Sequence, residues 1–411
     1  MSFLSKMFAT SGGSNSVASD DHWFFRTMTP THAGTRVSEN NAMTLPVVYS
    51  AVGIIADSVA QLPIAVMRAQ GDRRDEQRDH AVSKLLNLRP NPYMTAFTLR
   101  DTTQSHMLLW GNGYQEIRRL GNGTPVELWP LLPDRTDWHD SNDRARGYYT
   151  TVNGQRFSVS AKDMLHVPAL GFDGIRGHSP IWMARQAIGL GLALEEYAGR
   201  FFSNDSTSGG FLEHPGKLSA EAKKNVVDSM SDQGGLTNAH RLKVLEEGMK
   251  FNRTTIPPEE AQFLQSRAFQ VQDIARMFRV PLFMLQDQSK DTAWGTGISQ
   301  MLFGFLEFTL TPWLLRWEQE LTYKLFSAAE IKAGFYIKHN VNALLRGDAQ
   351  TRAAFYTAAL NPSTGFMSRQ EVRALEDLNP DDTDNAPLAP AKPSPSLSGD
   401  VPAEMPATSS L

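Results

Sequence analysis

The side chains that could do chemistry are scattered along the chain. Its ten histidines include no pair one helical turn apart, the spacing that puts two imidazoles on one metal, so each reads as a structural or surface group. His166, inside the apolar run MLHVP, reads as a core histidine with satisfied hydrogen bonds. The adjacent carboxylates Glu195 and Glu196, Glu246 and Glu247, and Glu259 and Glu260 invite an acid/base reading. Neighbours in sequence do not face each other on a helix, so solvated or dipole-facing charge explains them better. WGNGY, beginning at Trp110, resembles a phosphate-binding glycine turn. It leaves a helix and enters a strand, the reverse of the order that aims a helix N-terminus at phosphate, and it reads as a helix C-cap. Trp294, Phe303, Phe305, Phe308, Trp313 and Trp317 could stack nucleic-acid bases. All but Trp294 fall on one predicted helix, where packing explains them; Trp294 sits in a polar loop and needs a partner surface.

The common signatures of nucleotide, metalloprotease and hydrolase chemistry are missing: G-x-x-x-x-G-K-[ST], H-E-x-x-H, G-x-S-x-G and G-x-G-x-x-G do not occur. Cysteine is absent, which excludes disulfide frameworks, zinc knuckles, thiol nucleophiles and iron-sulfur ligation together. The formal net charge of -4 lacks the basic character that holds most DNA-binding proteins on phosphate. It argues against tight DNA binding and leaves DNA passage open. With 41% hydrophobic and 20% charged residues the composition is that of a folded protein, and 411 residues call for two or more structural regions.

The elements that must position these groups follow from periodicity and turn signals. The N-terminal stretch MSFLSKMFATSGGSNSVASDD reads as a mobile arm without an export signal. Thr44 is placed to cap a helix with Pro46 in its first turn, since Val48, Ala51, Ile55, Val59 and Leu62 recur at helical spacing. A strand over 64–69, helices near 82–88 and 96–110, and hairpins over 114–131 and 148–159 follow, the second turning on Asn153 and Gly154. From Ser179 a helix rich in small residues runs over 181–202, suited to close helix contact. An insert follows with strands over 211–213 and 241–246 around a helix over 220–230. A second helix starts at Pro257 and Pro258, with Glu259 and Glu260 at its positive end, Arg276 and Arg279 at its negative end, and Leu264, Ala268, Val271, Ala275 and Phe278 on one stripe. After a polar loop over 286–297 comes a long helix over 298–327 with a kink at Pro312. That helix contains Gln300 and Glu307, so a buried or interfacial position suits it and a membrane does not. Residues 344–378 read as helical, with Ser368 and Glu371 forming a capping box. Beyond Pro380 the Pro, Ala and Ser content predicts a disordered tail.

Taken in order, LPVVYSAVGIIADSVAQLPIAV, LLNLRPNPYMTAFTLRDTTQSHMLLWGNGY, DMLHVP, GIRGHSPIWMARQAI, RLKVLEEGMKF, IARMFRVPLFML and LNPSTGFMSRQEVRALEDLNP resemble the portal family of long-tailed double-stranded DNA bacteriophages, of the Hong Kong 97 type. The resemblance covers residues 44–380. One departure is Arg279, which stands where the family often has Gly before Val-Pro.

The resemblance implies an α+β portal fold assembled as a ring, a dodecamer, around an axial channel. It divides the chain into an N-terminal arm (1–40), a mixed α/β wing (41–180), a stem helix (181–207), a small α/β clip (208–256), a second stem helix (257–281), a channel loop (282–297), a wing helix and strand (298–342), a short helical crown (343–380) and the tail (381–411). The channel loop would meet DNA through Gln286, Gln288, Ser289, Lys290, Thr292 and Trp294, and the stem would face the channel with Gln262, Gln265, Ser266 and Gln270. The implied partners are further copies of the chain, double-stranded DNA, the terminase large subunit, a head-tail adaptor, and the major capsid and scaffold proteins. No membrane, cofactor, metal or catalytic residue is implied. Such a protein assembles in the host cytoplasm and resides at the portal vertex of the virion. On the residues alone, a nucleic-acid-processing enzyme and a virion scaffold or adaptor without a channel remain alternatives.

Overall fold

The computed structural model describes residues 29–140, 146–203, 210–221, 223–226, 249–253, 260–286, 296–341, 349–361 and 363–376. The chain divides into two units after Asn340. In the first, part of the stretch expected to be a mobile arm is packed: Thr31 is buried, His32 donates its N–H to Gln186, and the Thr35 hydroxyl donates to the Gly189 carbonyl. Helix α1 (Glu39–Ala42) carries a capping box from Ser38. Helix α2 (Pro46–Ala60) starts on Pro46 as the sequence predicts, but its N-cap is Leu45. Thr44 is not the cap because its hydroxyl donates to the Asn41 carbonyl at 2.7 Å.

Strands β1 (Ile64–Gln70) and β2 (Arg73–Glu76) lead into helices α3 (Ala81–Asn87) and α4 (Ala96–Trp110). Arg100 of α4 reaches the carbonyls of Ala60 and Leu86, which α2 and α3 leave unpaired in their last turns. Burial lowers its pKa to about 10, so the guanidinium stays charged at neutral pH. Helix α4 ends on Gly111 at φ 81, the C-cap expected from WGNGY. A Cβ there would meet the His178 carbonyl oxygen at 2.3 Å, so glycine serves both the left-handed turn and the close approach.

Both expected hairpins are present. Strands β3 (Asn112–Arg119) and β4 (Pro125–Leu131) pair antiparallel, and β6 (Arg146–Val152) and β7 (Gln155–Ser160) turn on Asn153 and Gly154, both at positive φ. Strand β5 (Thr136–Asp140) adds to β6, and β8 (Met164–Pro168) adds to β3, giving the sheet orders β4-β3-β8 and β5-β6-β7. After α5 (Pro180–Met183) and α6 (Arg185–Ser203), the insert shows a two-stranded ladder of β9 (Gly210–Glu213) with β10 (Lys250–Arg253). The partner of the first insert strand is thus β10; the strand expected over 241–246 lies outside the described residues. Helix α7 (Glu260–Phe278) follows, then α8 (Thr296–Phe305), a π-helical turn (Leu306–Leu310) and α9 (Thr311–Leu325) in one run. The expected kink is this π turn, set just before Pro312, whose missing N–H leaves a carbonyl of the preceding turn without its helical donor. Helix α10 (Ala328–Lys332) and strand β11 (Phe335–His339) close the unit, β11 pairing with β1 in the order β11-β1-β2. In the second unit, α11 (Ala349–Ala359) is followed by α12 (Arg369–Leu375), which opens on the predicted Ser368 and Glu371 capping box. No helix among the described residues is long and apolar enough to cross a membrane.

One buried polar cluster joins α9 to three strands. Asn112 Oδ1 accepts from the Gly177 N–H at 2.8 Å, and its Nδ2 donates to the Gly177 carbonyl at 2.9 Å. His166 Nε2 lies 3.0 Å from the same Oδ1 and must therefore be the protonated nitrogen, which leaves Nδ1 to accept from the Tyr148 hydroxyl at 3.1 Å. Both ring nitrogens are satisfied, as expected of a core histidine. Burial holds the pKa of His166 down at about 3 and that of His106 at about 4, so both are neutral in the fold. Unfolding returns them to 6.5, and below that pH the unfolded chain binds protons that the folded chain does not. Stability is therefore full above that pH and falls as the pH drops toward 4. At about pH 5 each histidine removes about 2 kcal/mol. Melting temperatures between about pH 7 and about pH 5 should fall, and His106→Phe should cut that slope by roughly half. An unchanged slope in the variant would contradict the assignment.

Candidate functional site

The expected site is the polar loop between two long helices, and its base is well defined. Helix α7 stops in a Schellman turn: the Val280 N–H bonds the Ala275 carbonyl at 3.0 Å and the Arg279 N–H bonds that of Arg276 at 3.1 Å. This places Arg279 at φ 56, a left-handed position that favours glycine. Pro281 then starts a short 3-10 turn (Leu282–Leu285) that ends on Gln286, also left-handed at φ 59. From the far side, the Thr309 hydroxyl in the π turn donates to the Arg279 carbonyl at 2.7 Å. The end of α7, where the loop starts, is thereby tied to the π turn in the middle of the second helical run.

Gln286 is exposed at the mouth of a cleft of about 610 Å³. The cleft is lined by Tyr49, Ser50 and Asp57 of α2, Asp101 of α4, and Met284 and Leu285. Burial raises the pKa of the Asp101 carboxyl, and the charge of Asp57 raises it further. Gln288, Ser289, Lys290, Thr292 and Trp294 lie outside the described residues. No cluster of three or more metal-ligating side chains occurs among the described residues.

On α7, Gln265 and Ser266 are exposed, and the side chain of Gln262 lies outside the description. Gln270 is placed otherwise: it is buried, and its amide donates to the Ala187 carbonyl of α6. A side chain committed to the neighbouring helix does not face a channel, and Gln270 leaves that set. Among the described members of the predicted α7 stripe, Ala275 and Phe278 near its end are buried, together with Ile274. Small residues do permit the helix contact anticipated for α6: a Cβ on Gly191 would come within 3.2 Å of Leu45 and 3.4 Å of Gln270. Arg267 adds an ion pair to Glu195 at 3.6 Å. The adjacent glutamates go separate ways, Glu196 bonding Arg200 on its own helix.

Helix α9 carries functional side chains that periodicity alone did not single out. On one flank Arg316 donates to the Pro168 and Ala169 carbonyls, Glu320 accepts from the His166 N–H, and Lys324 donates to the Ala161 carbonyl, all along the free edge of β8. On the other flank Glu318 accepts from the His339 N–H and Thr322 from the Ile337 N–H, along the edge of β11. Burial raises the pKa of Glu320 and lowers that of Lys324, while their opposite charges pull each back. The signal was available as two rows at i, i+4 spacing. Among the predicted aromatics, Phe305 and Trp317 are core, whereas Phe303 and Phe308 are exposed.

The fold of this chain has solved counterparts. It matches the neck of a native gene transfer agent particle, computed with C12 symmetry, at TM-score 0.55 and 23% identity, over 92% of this chain and 99% of that one. The chain belongs to the phage portal protein family, whose model matches residues 46–377. It is 31% identical to the probable portal protein of Streptomyces phage phiC31 over 85% of this chain and 78% of that protein. To the portal protein of Enterobacteria phage HK97 it is 30% identical, over 84% and 81%.

The left-handed position of Arg279 gives a physical reason for the glycine often found there in the family. Arg279→Gly should raise stability by about 1 kcal/mol, and Arg279→Val should lower it by a similar amount. Denaturant unfolding checks both, and a glycine variant no more stable than the parent would contradict the assignment.

Proposed function

We propose that this chain is the subunit of a dodecameric ring at one capsid vertex, through which double-stranded DNA is packaged and later ejected. The observation that carries this reading is the family match over residues 46–377, which takes in both long helices, the loop between them and the sheets that brace them. The twelvefold symmetry of the matching neck particle supports the ring number. The ring also presents docking surfaces for the terminase large subunit and the head-tail adaptor, and it sits among the capsid and scaffold proteins after assembly in the host cytoplasm. We assign it no catalytic step; the ATP-driven work belongs to the terminase.

Mixed wing, paired stem helices α6 and α7, clip around β9 and β10, and crown from α11 and α12 form the proposed domain order. The stem turns Gln265 and Ser266, both exposed, toward the channel, and the loop adds Gln286, Gln288, Ser289, Lys290, Thr292 and Trp294. A conduit needs weak contacts: each basic side chain bound to phosphate displaces a counterion and would hold a sliding duplex. Neutral amides and hydroxyls on a chain of net charge -4 suit passage. Deleting residues 290–295 should leave ring mass unchanged yet shorten packaged DNA or reduce its retention in virions. Deletion particles that hold full-length genomes at parental yield would remove the loop from the channel.

A further inference from the structure

The ring reading leaves open which surfaces of neighbouring copies meet, and two apolar patches in the first unit answer to each other. The first lies on α9 and beside β8. With its core side turned inward and both flanks bonded to sheet edges, α9 still exposes a third, apolar side through Leu315 and Tyr323, the latter 71% exposed. Phe308 in the π turn extends it at 70% exposure. Arg316 ties the end of β8 to this helix, and the turn that follows carries Leu170 and Phe172, 73% and 85% exposed. That turn is rigid: Asp173 accepts from the N–H groups of Ile175 and Arg176, and the Arg176 guanidinium bonds Asp137 and the Trp138 carbonyl. A rigid turn presenting large apolar side chains is a contact surface rather than a loose loop.

The second patch lies across the sheet. Strands β4 and β8 occupy opposite edges of the order β4-β3-β8. Along β4, the Leu128 N–H bonds the Pro90 carbonyl and Asn91 bonds the Leu128 carbonyl, which fastens the segment 88–94 to that edge. Along this edge and the segment fastened to it, Leu88, Tyr93, Val126 and Leu132 are exposed, with Tyr93 leaning on Trp129 at 5.8 Å between ring centroids. The charges beside the patches are opposite. Exposed Glu307 on the α9 side and exposed Arg89 on the β4 side have no ion-pair partner among the described residues.

We propose that the outer side of α9, with Leu170 and Phe172, docks on the β4 edge of the next copy, Glu307 meeting Arg89. Unlike patches on opposite sides of one compact unit make a head-to-tail contact, which closes into a ring when the rotation allows. This rests on the ring reading and adds the surfaces that meet.

The absence of native cysteine makes the test clean. Full-length chain carrying both Tyr323→Cys and Tyr93→Cys, treated with a short bismaleimide, should give a covalent ladder beyond the dimer on a denaturing gel. Each single variant should stay at protomer mass. Glu307→Arg should raise the concentration for half-assembly by about tenfold, and adding Arg89→Glu should restore it. Melting temperatures matching the parent would show that the variants fold. Rings of full mass without a ladder would leave these patches to another virion protein and overturn the inference while the ring reading stands, as would dimers from either single variant. A protomer at every concentration would sink both.

Discussion

An edge strand must find partners for its outward N–H and carbonyl groups, and in this protein one helix does so for two sheets at once. Helix α9 lies between β8 and β11, the terminal strands of separate sheets. Arg316, Glu320 and Lys324 satisfy one edge, while Glu318 and Thr322 satisfy the other. Between the rows, Leu314, Trp317, Leu321 and Leu325 are buried. These roles fill about two thirds of the helix circumference at 100° per residue. Closing both edges removes the templates through which open sheets pair with stray chains.

That placement carries through to the rest of the unit. Arg119 bonds Asp163 and the Lys324 carbonyl, fastening the end of α9 to β3 and the turn before β8. Trp317 bonds Gln104 at 2.9 Å and so joins α9 to α4. At the other end, the π turn lets Thr309 reach the end of α7, which relays the position of α9 to that helix and to the base of the loop. A shift of α9 along its axis would break the bonds to both edges together, so the loop departs from a rigid seat.

Much of this was legible in the sequence because it depends on local chemistry. Asn153 and Gly154 announce a hairpin, Gly111 a helix end and Pro312 a kink, since each restricts φ or removes a donor. The edge-closing rows showed in the sequence only as i, i+4 spacing, and their role was not legible: Glu320 and Lys324 look like an ordinary solvated pair until β8, more than a hundred residues earlier in the chain, is placed beside them. Thr44 was misread for a similar reason, as its hydroxyl had a nearer acceptor in Asn41. Gln270 looked like one more polar residue on a helix face, and only the approach of α6 turns it inward. Of the proposed loop residues, the structure describes Gln286 alone, and the other five rest on the resemblance.

A conduit has to be a closed ring before it can be anything else. Averaged electron micrographs of the purified full-length protein measure this directly. The structure and the family together predict hollow particles of a single rotational order, with a central opening wide enough for duplex DNA. Protomers at every concentration, or solid particles without an opening, would contradict the assignment of this chain as a portal ring subunit.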